Sequence, residues 1–154
     1  MKVSGQLRVR APREAVFDAL QDAQFFASCI DGVRQLTEID PAHYHAILET
    51  AVAYMQFRFK LLIEVTRKRP PSELEARVEG TALGIVARVT ATSTTRLTQE
   101  LEETKIEYEI EAALTGKLGG LGQPVLRSKA KQMEKQFATR LRAAFEQMPS
   151  EPRS

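Results

Sequence analysis

Residues 118–148 read LGGLGQPVLRSKAKQMEKQFATRLRAAFEQM, and this stretch decides the fold. Apolar residues recur at Leu121, Val125, Met133, Phe137, Leu141, Ala144 and Met148, mostly three or four apart. That is the period of a helix, and it draws a single apolar stripe. Pro124 suits a first turn, where its missing N–H has no intrahelical partner to lose. Pro149 ends the element, because proline pushes the residue before it out of helical geometry. The spacing predicts a helix from Pro124 to Gln147, about 36 Å long at 1.5 Å per residue. Such a stripe needs an apolar surface of matching length.

The rest of the chain supplies strands. Val3, Gly5, Leu7 and Val9 alternate with Lys2, Ser4, Gln6 and Arg8, the period of a half-buried strand. Pro12 and Glu14 then open a short helix whose inner face is Val16, Phe17 and Leu20. Asp22 can cap a second one, Ala23 to Cys29, which carries Phe25 and Phe26. Asp31-Gly32 is a turn. Six strands follow, at Val33–Ile39, around Tyr44–Leu48, at Phe57–Ile63, Leu74–Val78, Ile85–Leu97 and Ile106–Leu114. Phe57, Phe59, Leu61 and Ile63, against Arg58, Lys60 and Glu64, give the clearest alternation. Asp40-Pro41-Ala42, Arg67-Lys68-Arg69-Pro70-Pro71 and Gln99–Glu103 read as turns. Short connections favour antiparallel neighbours, and one apolar face per strand implies a sheet covered on one side. The expected fold class is α+β, with the long helix as the cover.

The 154 residues suit one domain, expected over 1–148, with 149–154 as a tail. Twenty-two basic and 20 acidic residues give a net charge of +2, too balanced to argue for nucleic acid. A single cysteine, Cys29, excludes an intramolecular disulfide framework. The chain opens on a strand pattern and holds no apolar run near the ~20 residues of a membrane span. A cytoplasmic protein is the expectation.

The order of elements resembles the START-like (SRPBCC) helix-grip fold, in which a curved antiparallel sheet wraps around a long C-terminal helix. Within that superfamily the sequence is similar to the carbon monoxide dehydrogenase G-subunit family. The likeness is carried by Ala11-Pro12-Arg13-Glu14-Ala15-Val16-Phe17-Asp18-Ala19-Leu20, by Ser28-Cys29-Ile30-Asp31-Gly32, and by Gly116-Lys117-Leu118-Gly119-Gly120-Leu121-Gly122 running into Ala130-Lys131 and Gln136-Phe137. Asp31 stands where that family usually has proline, and Tyr54-Met55-Gln56 where a glycine-proline turn is common. The resemblance implies a non-catalytic accessory protein without a cofactor. It implies a hydrophobic ligand, quinone or lipid, in the helix–sheet cavity. It also implies association with a carbon monoxide dehydrogenase or related molybdenum hydroxylase, and a peripheral link to the inner face of the membrane. The alternative within the superfamily is an enzyme of the polyketide cyclase or aromatase type, for which Tyr44 and Tyr108 are the inward tyrosines by parity.

For the apolar residues, the resemblance implies a cavity lined by Phe25 and Phe26, by Phe57 and Phe59, and by Met133, Phe137 and Leu141 of the long helix. Tyr54, Met55, Leu83, Ile85 and Leu121 fall in apolar loops that alternate connections bring to one end of the sheet, with the Cys29–Gly32 turn. That end is expected to be the mouth, unless the loops fold in and plug the core. The other chemistry-bearing residues have plainer readings. Cys29 adjoins no base and reads as a buried thiol. His43 and His45 share a wet face without the ligand cluster a metal needs. Glu107, Glu109 and Glu111 lie on a solvated face, paired with basic neighbours. The glycines at 116–122 lack the closing Gly-Lys-Ser/Thr of a phosphate loop. Arg127, Lys131, Lys135 and Arg142 form a solvated stripe, or one drawn to anionic lipid.

Overall fold

The computed structural model describes residues 1–147; Met148 and the tail expected at 149–154 lie outside the described residues. The strands are β1 (Lys2–Val9), β2 (Val33–Asp40), β3 (His43–Val52), β4 (Met55–Arg69), β5 (Glu73–Ala82), β6 (Ala87–Glu100) and β7 (Glu103–Thr115). The helices are α1 (Arg13–Gln21), α2 (Ala23–Ser28), α3 (Gly116–Gly119) and α4 (Gln123–Gln147). All seven strands form one antiparallel sheet in the order β1-β7-β6-β5-β4-β3-β2. The two edge strands are therefore joined by α1 and α2, which carry the chain across the whole sheet. Asp22 separates these helices and caps the second, accepting from the N–H groups of Gln24 and Phe25 at 3.0 and 3.2 Å.

The α+β helix-grip architecture is the one expected: a curved sheet gripping a long C-terminal helix. Register follows the alternation of the sequence. Leu97, Ile106 and Leu7 lie side by side on the inner face of β6, β7 and β1, while Glu109 of β7 faces outward to Lys2 at 3.3 Å.

The differences are local. The charged run Arg67–Arg69 is strand, not turn; only Pro70, Pro71 and Ser72 separate β4 from β5. Arg67 reaches Glu73 at 3.1 Å and Glu75 at 3.4 Å across the ladder, so the charges sit as outward cross-strand pairs. The Gln99–Glu103 turn shrinks to Leu101-Glu102, with Leu101 at φ +56°. Ile85 and Val86 belong to the loop before β6, and the glycine run contains the four-residue helix α3.

Candidate ligand site between helix and sheet

Helix α4 is held along both flanks. On one it runs beside the free edge of β1, where the carbonyls of Lys2 and Arg8 accept from Arg127 at 3.4 Å and Arg142 at 3.1 Å. The helix advances about 22 Å between those arginines and the strand about 20 Å between those carbonyls, so the two elements run in step. Two members of the basic stripe thus cover a sheet edge that would otherwise be open to pairing. The stripe is neither wholly solvated nor wholly free for lipid.

On the other flank α4 is tied to the loop after α2. The Asp31 N–H donates to Gln136 Oε1 at 3.1 Å, Gln136 Nε2 donates to Asp31 Oδ2 at 2.6 Å, and Arg140 pairs with the same carboxylate at 2.5 Å. Gly32 follows at φ +91°, where a Cβ would run into the Glu49 carbonyl. The rings of Phe26 and Phe137 stand 4.9 Å apart just above. The turn is thus tied to the side of α4 and, on the sheet, to Glu49 near the β3–β4 end. Three contacts from the helix hold it where the family usually has a proline.

Between these flanks the core is in two pieces. One cluster joins Leu7, Val9, Val16, Phe17, Leu20, Leu97, Ile106 and Leu141 at the α1 end. The other joins Val52, Phe57, Phe59, Ala82, Ala87, Leu118 and Leu126 at the α3 end. The inward side chains in the middle belong to neither: Val3, Ile63, Ala76, Val78, Ala91, Ser93 and Ile110 of the sheet and Met133 of α4 are only half-buried. Across β5, β6 and β7 the register sets Val78, Ala91 and Ala112 in one row and Ala76, Ser93 and Ile110 in the next. Alanine and serine are the small side chains of those rows, and all three, Ala76, Ala91 and Ser93, remain half-buried.

At the α3 end the apolar loops stand out of the core. Tyr54 is 88% exposed and Val86 82%, and Leu83 and Ile85 are also exposed. With Met55, Lys117 and Leu121, Tyr54 and Val86 line an open cleft of about 660 Å³. A second cleft, of about 430 Å³, opens beside Met1, Leu114, Gly119 and Leu126. Both volumes fall in the range of ligand sites, roughly 300–1,000 Å³.

The twelve residues expected to line the cavity divide by place. Met133 of α4 is half-buried between the two clusters, while Phe137 packs against the α1-end cluster and against Phe26. Tyr54, Met55 and Leu121 meet at the open cleft, with Leu83 and Ile85 on the adjoining loop. Phe57 and Phe59 are buried and stacked, rings 5.5 Å apart, inside the α3-end cluster. Leu141 is fully buried in the α1-end cluster, with Phe25 packed against it. Phe26 is exposed on α2. The small middle residues Ala76, Ala91 and Ser93 are not among the twelve, although their inward parity is readable in the sequence.

The remaining candidates are structural. Cys29 is buried, and desolvation pushes its thiol above the ordinary value, away from the reactive thiolate. His43 sits exposed between Asp40 at 2.8 Å and Glu64 at 3.5 Å. Its hydrogen bond to Asp40 raises the imidazole above its ordinary value and holds the Asp40 carboxyl below its own. Tyr44 donates back to the Pro41 carbonyl at 3.1 Å, so its hydroxyl is engaged at the β2–β3 turn. Tyr108 lies on the inner face. Among the described residues no helix is long and apolar enough to cross a membrane.

An antiparallel sheet gripping a long C-terminal helix defines a START-like helix-grip domain. Residues 5–145 match the family of the carbon monoxide dehydrogenase G subunit (CoxG), and the chain belongs to that family. Among solved structures it is similar to a conserved protein from Geobacillus kaustophilus, with 26% identity, 94% of each chain covered and a TM-score of 0.86. A START superfamily protein from Mycobacterium smegmatis shares 12% identity over 96% of this chain and 99% of its own, with a TM-score of 0.74. The Zhui aromatase/cyclase from Streptomyces sp. R1128 shares 14% identity over 95% and 93%, with a TM-score of 0.70. At those low identities the last two show the fold alone. No curated protein matches the sequence.

Proposed function

We propose that this protein is a non-catalytic accessory subunit that carries an apolar ligand, of the quinone or lipid class, between α4 and the concave face of the sheet. In this reading it serves a carbon monoxide dehydrogenase or related molybdenum hydroxylase in the cytoplasm, and meets the inner face of the membrane through the apolar loops at the α3 end. The observation that carries it is the divided core: inward residues between two buried clusters stay half-buried. Family membership supports the partner, and the exposed loops support the place of exchange.

The test is organic extraction of the purified protein followed by mass spectrometry, on wild type and on Ala91→Phe. The wild type yields a stoichiometric apolar molecule. Ala91→Phe loses it and keeps its stability, because the ring enters open space. A wild type that carries nothing and takes up no quinone or lipid sinks the proposal. So does a variant that loses about 1–3 kcal/mol of stability, the cost of overpacking a filled core.

A catalytic reading of the cyclase or aromatase kind rests on Tyr108, since Tyr44 is engaged by Pro41. It requires turnover of a poly-β-ketone substrate that Tyr108→Phe abolishes.

A further inference from the structure

Gly5 of β1 lies in register with Tyr108 of β7, which lies in register with Thr95 of β6. Gly5 has no side chain, and two polar groups use the space. A Cβ at Gly5 would overlap the Tyr108 hydroxyl and stand 2.7 Å from Glu134 Oε2, which comes down from α4. A phenol and a carboxylate from different elements therefore converge on one point of the inner face. Glu134 and Tyr108 are half-buried there, and neither has a hydrogen bond or ion pair within the protein among the described residues. Thr95, and Ser93 in the next row, place two more hydroxyl-bearing residues on the same face of β6.

The geometry points to Tyr108 and Glu134, meeting over Gly5, as a hydrogen-bonding anchor for a ligand that is apolar but carries one hydroxyl, phenolic or alcoholic. The inference rests on the cavity reading above and adds the chemistry of the ligand's polar end. A hydroxyl between the two groups accepts from the Tyr108 O–H and donates to Glu134, using both of its capacities at once. A carbonyl uses only the tyrosine. A carboxylate, as in a fatty acid, sits beside another carboxylate and is disfavoured. A pure hydrocarbon leaves both protein groups without partners, which costs free energy in a site out of water. Gly5 is the enabling residue, since any side chain there would push the two groups apart.

The chain has no tryptophan, so a naphthalene probe can be followed by its own fluorescence. The probes are 2-naphthol and 2-methylnaphthalene, which differ by a hydroxyl for a methyl. Wild type is expected to hold 2-naphthol about tenfold more tightly, the equivalent of one good hydrogen-bonding site. Tyr108→Phe removes the donor, and Gly5→Ala keeps both polar groups but denies them the meeting point. Each should cut the preference for 2-naphthol over 2-methylnaphthalene to about threefold or less. The anchor is overturned if wild type binds both probes equally, or if the preference survives in both variants. In either case the cavity reading stands. If neither probe binds wild type and extraction yields no apolar molecule, the cavity reading falls and the anchor with it.

Discussion

Thr104 shows what a single residue can do that its sequence context does not announce. It is fully buried at the start of β7, on a face where alternation leads one to expect a hydrocarbon. Its hydroxyl donates to the Ala11 carbonyl at 2.8 Å, closing the bend between β1 and α1. Thr104→Val keeps the shape and leaves that carbonyl without a partner, so urea unfolding should show a loss of about 1–3 kcal/mol. His43 makes a different kind of statement. Its folded-state proton affinity is raised, chiefly by Asp40, so its contribution is full below about pH 6.5, the unfolded value, and is lost as pH rises through the folded value. Asp40 is lowered, so its contribution is present above about pH 4 and is lost as pH falls through its folded value. The β2–β3 hairpin is therefore best held between about pH 4 and 6.5. An NMR titration should place the His43 midpoint above 6.5, and Asp40→Asn should bring it down. A midpoint that does not move would remove Asp40 as the cause. Asp31 could be read as a departure from a proline turn, but its partners Gln136 and Arg140 could not. They are more than a hundred residues away, and only the fold brings them to it.

At the scale of elements, the alternation of apolar and charged residues placed most of the strands, threonine and valine content placed β6, and the 3.6-residue period placed α4 to within a residue. These signals are local and repeat many times, so single exceptions do not blur them. The ends were less legible. Arg67–Arg69 looks like a turn because charge clusters there, yet an outward strand end tolerates the same charges when a facing strand supplies Glu73 and Glu75. The helix wheel assigned Arg127 and Arg142 to solvent because it contains no neighbour. Beside β1 the same positions meet free carbonyls. The candidate site was half legible. Inward parity named the residues that could line it, but which of them remain half-buried depends on how far the sheet curves from α4, a property of seven strands together. Phe57, Phe59 and Leu141, expected to line the cavity, sit in the packed clusters at the two ends of the helix.

For the whole molecule, the proposed exchange of ligand at the α3 end can be tested directly. Tyr54 and Val86 are largely exposed, so Tyr54→Asp with Val86→Asp should leave stability within about 0.5 kcal/mol. It should also lower uptake of a membrane-soluble quinone from anionic vesicles at least tenfold, because the loops lose their apolar contact with the bilayer. Unchanged uptake would place exchange elsewhere on the molecule. The topology also sets a timetable. Lys2 pairs with Glu111, so the sheet's first strand in chain order has its partner in the sheet's last. At about 5–20 residues per second, roughly 100 residues of synthesis separate the two, an interval of about 5–20 s in which β1 is unpaired. Helix α4 emerges later still. The sheet has nothing to close on until α4 has been made, so any ligand held between them is acquired only after the last of these elements has emerged.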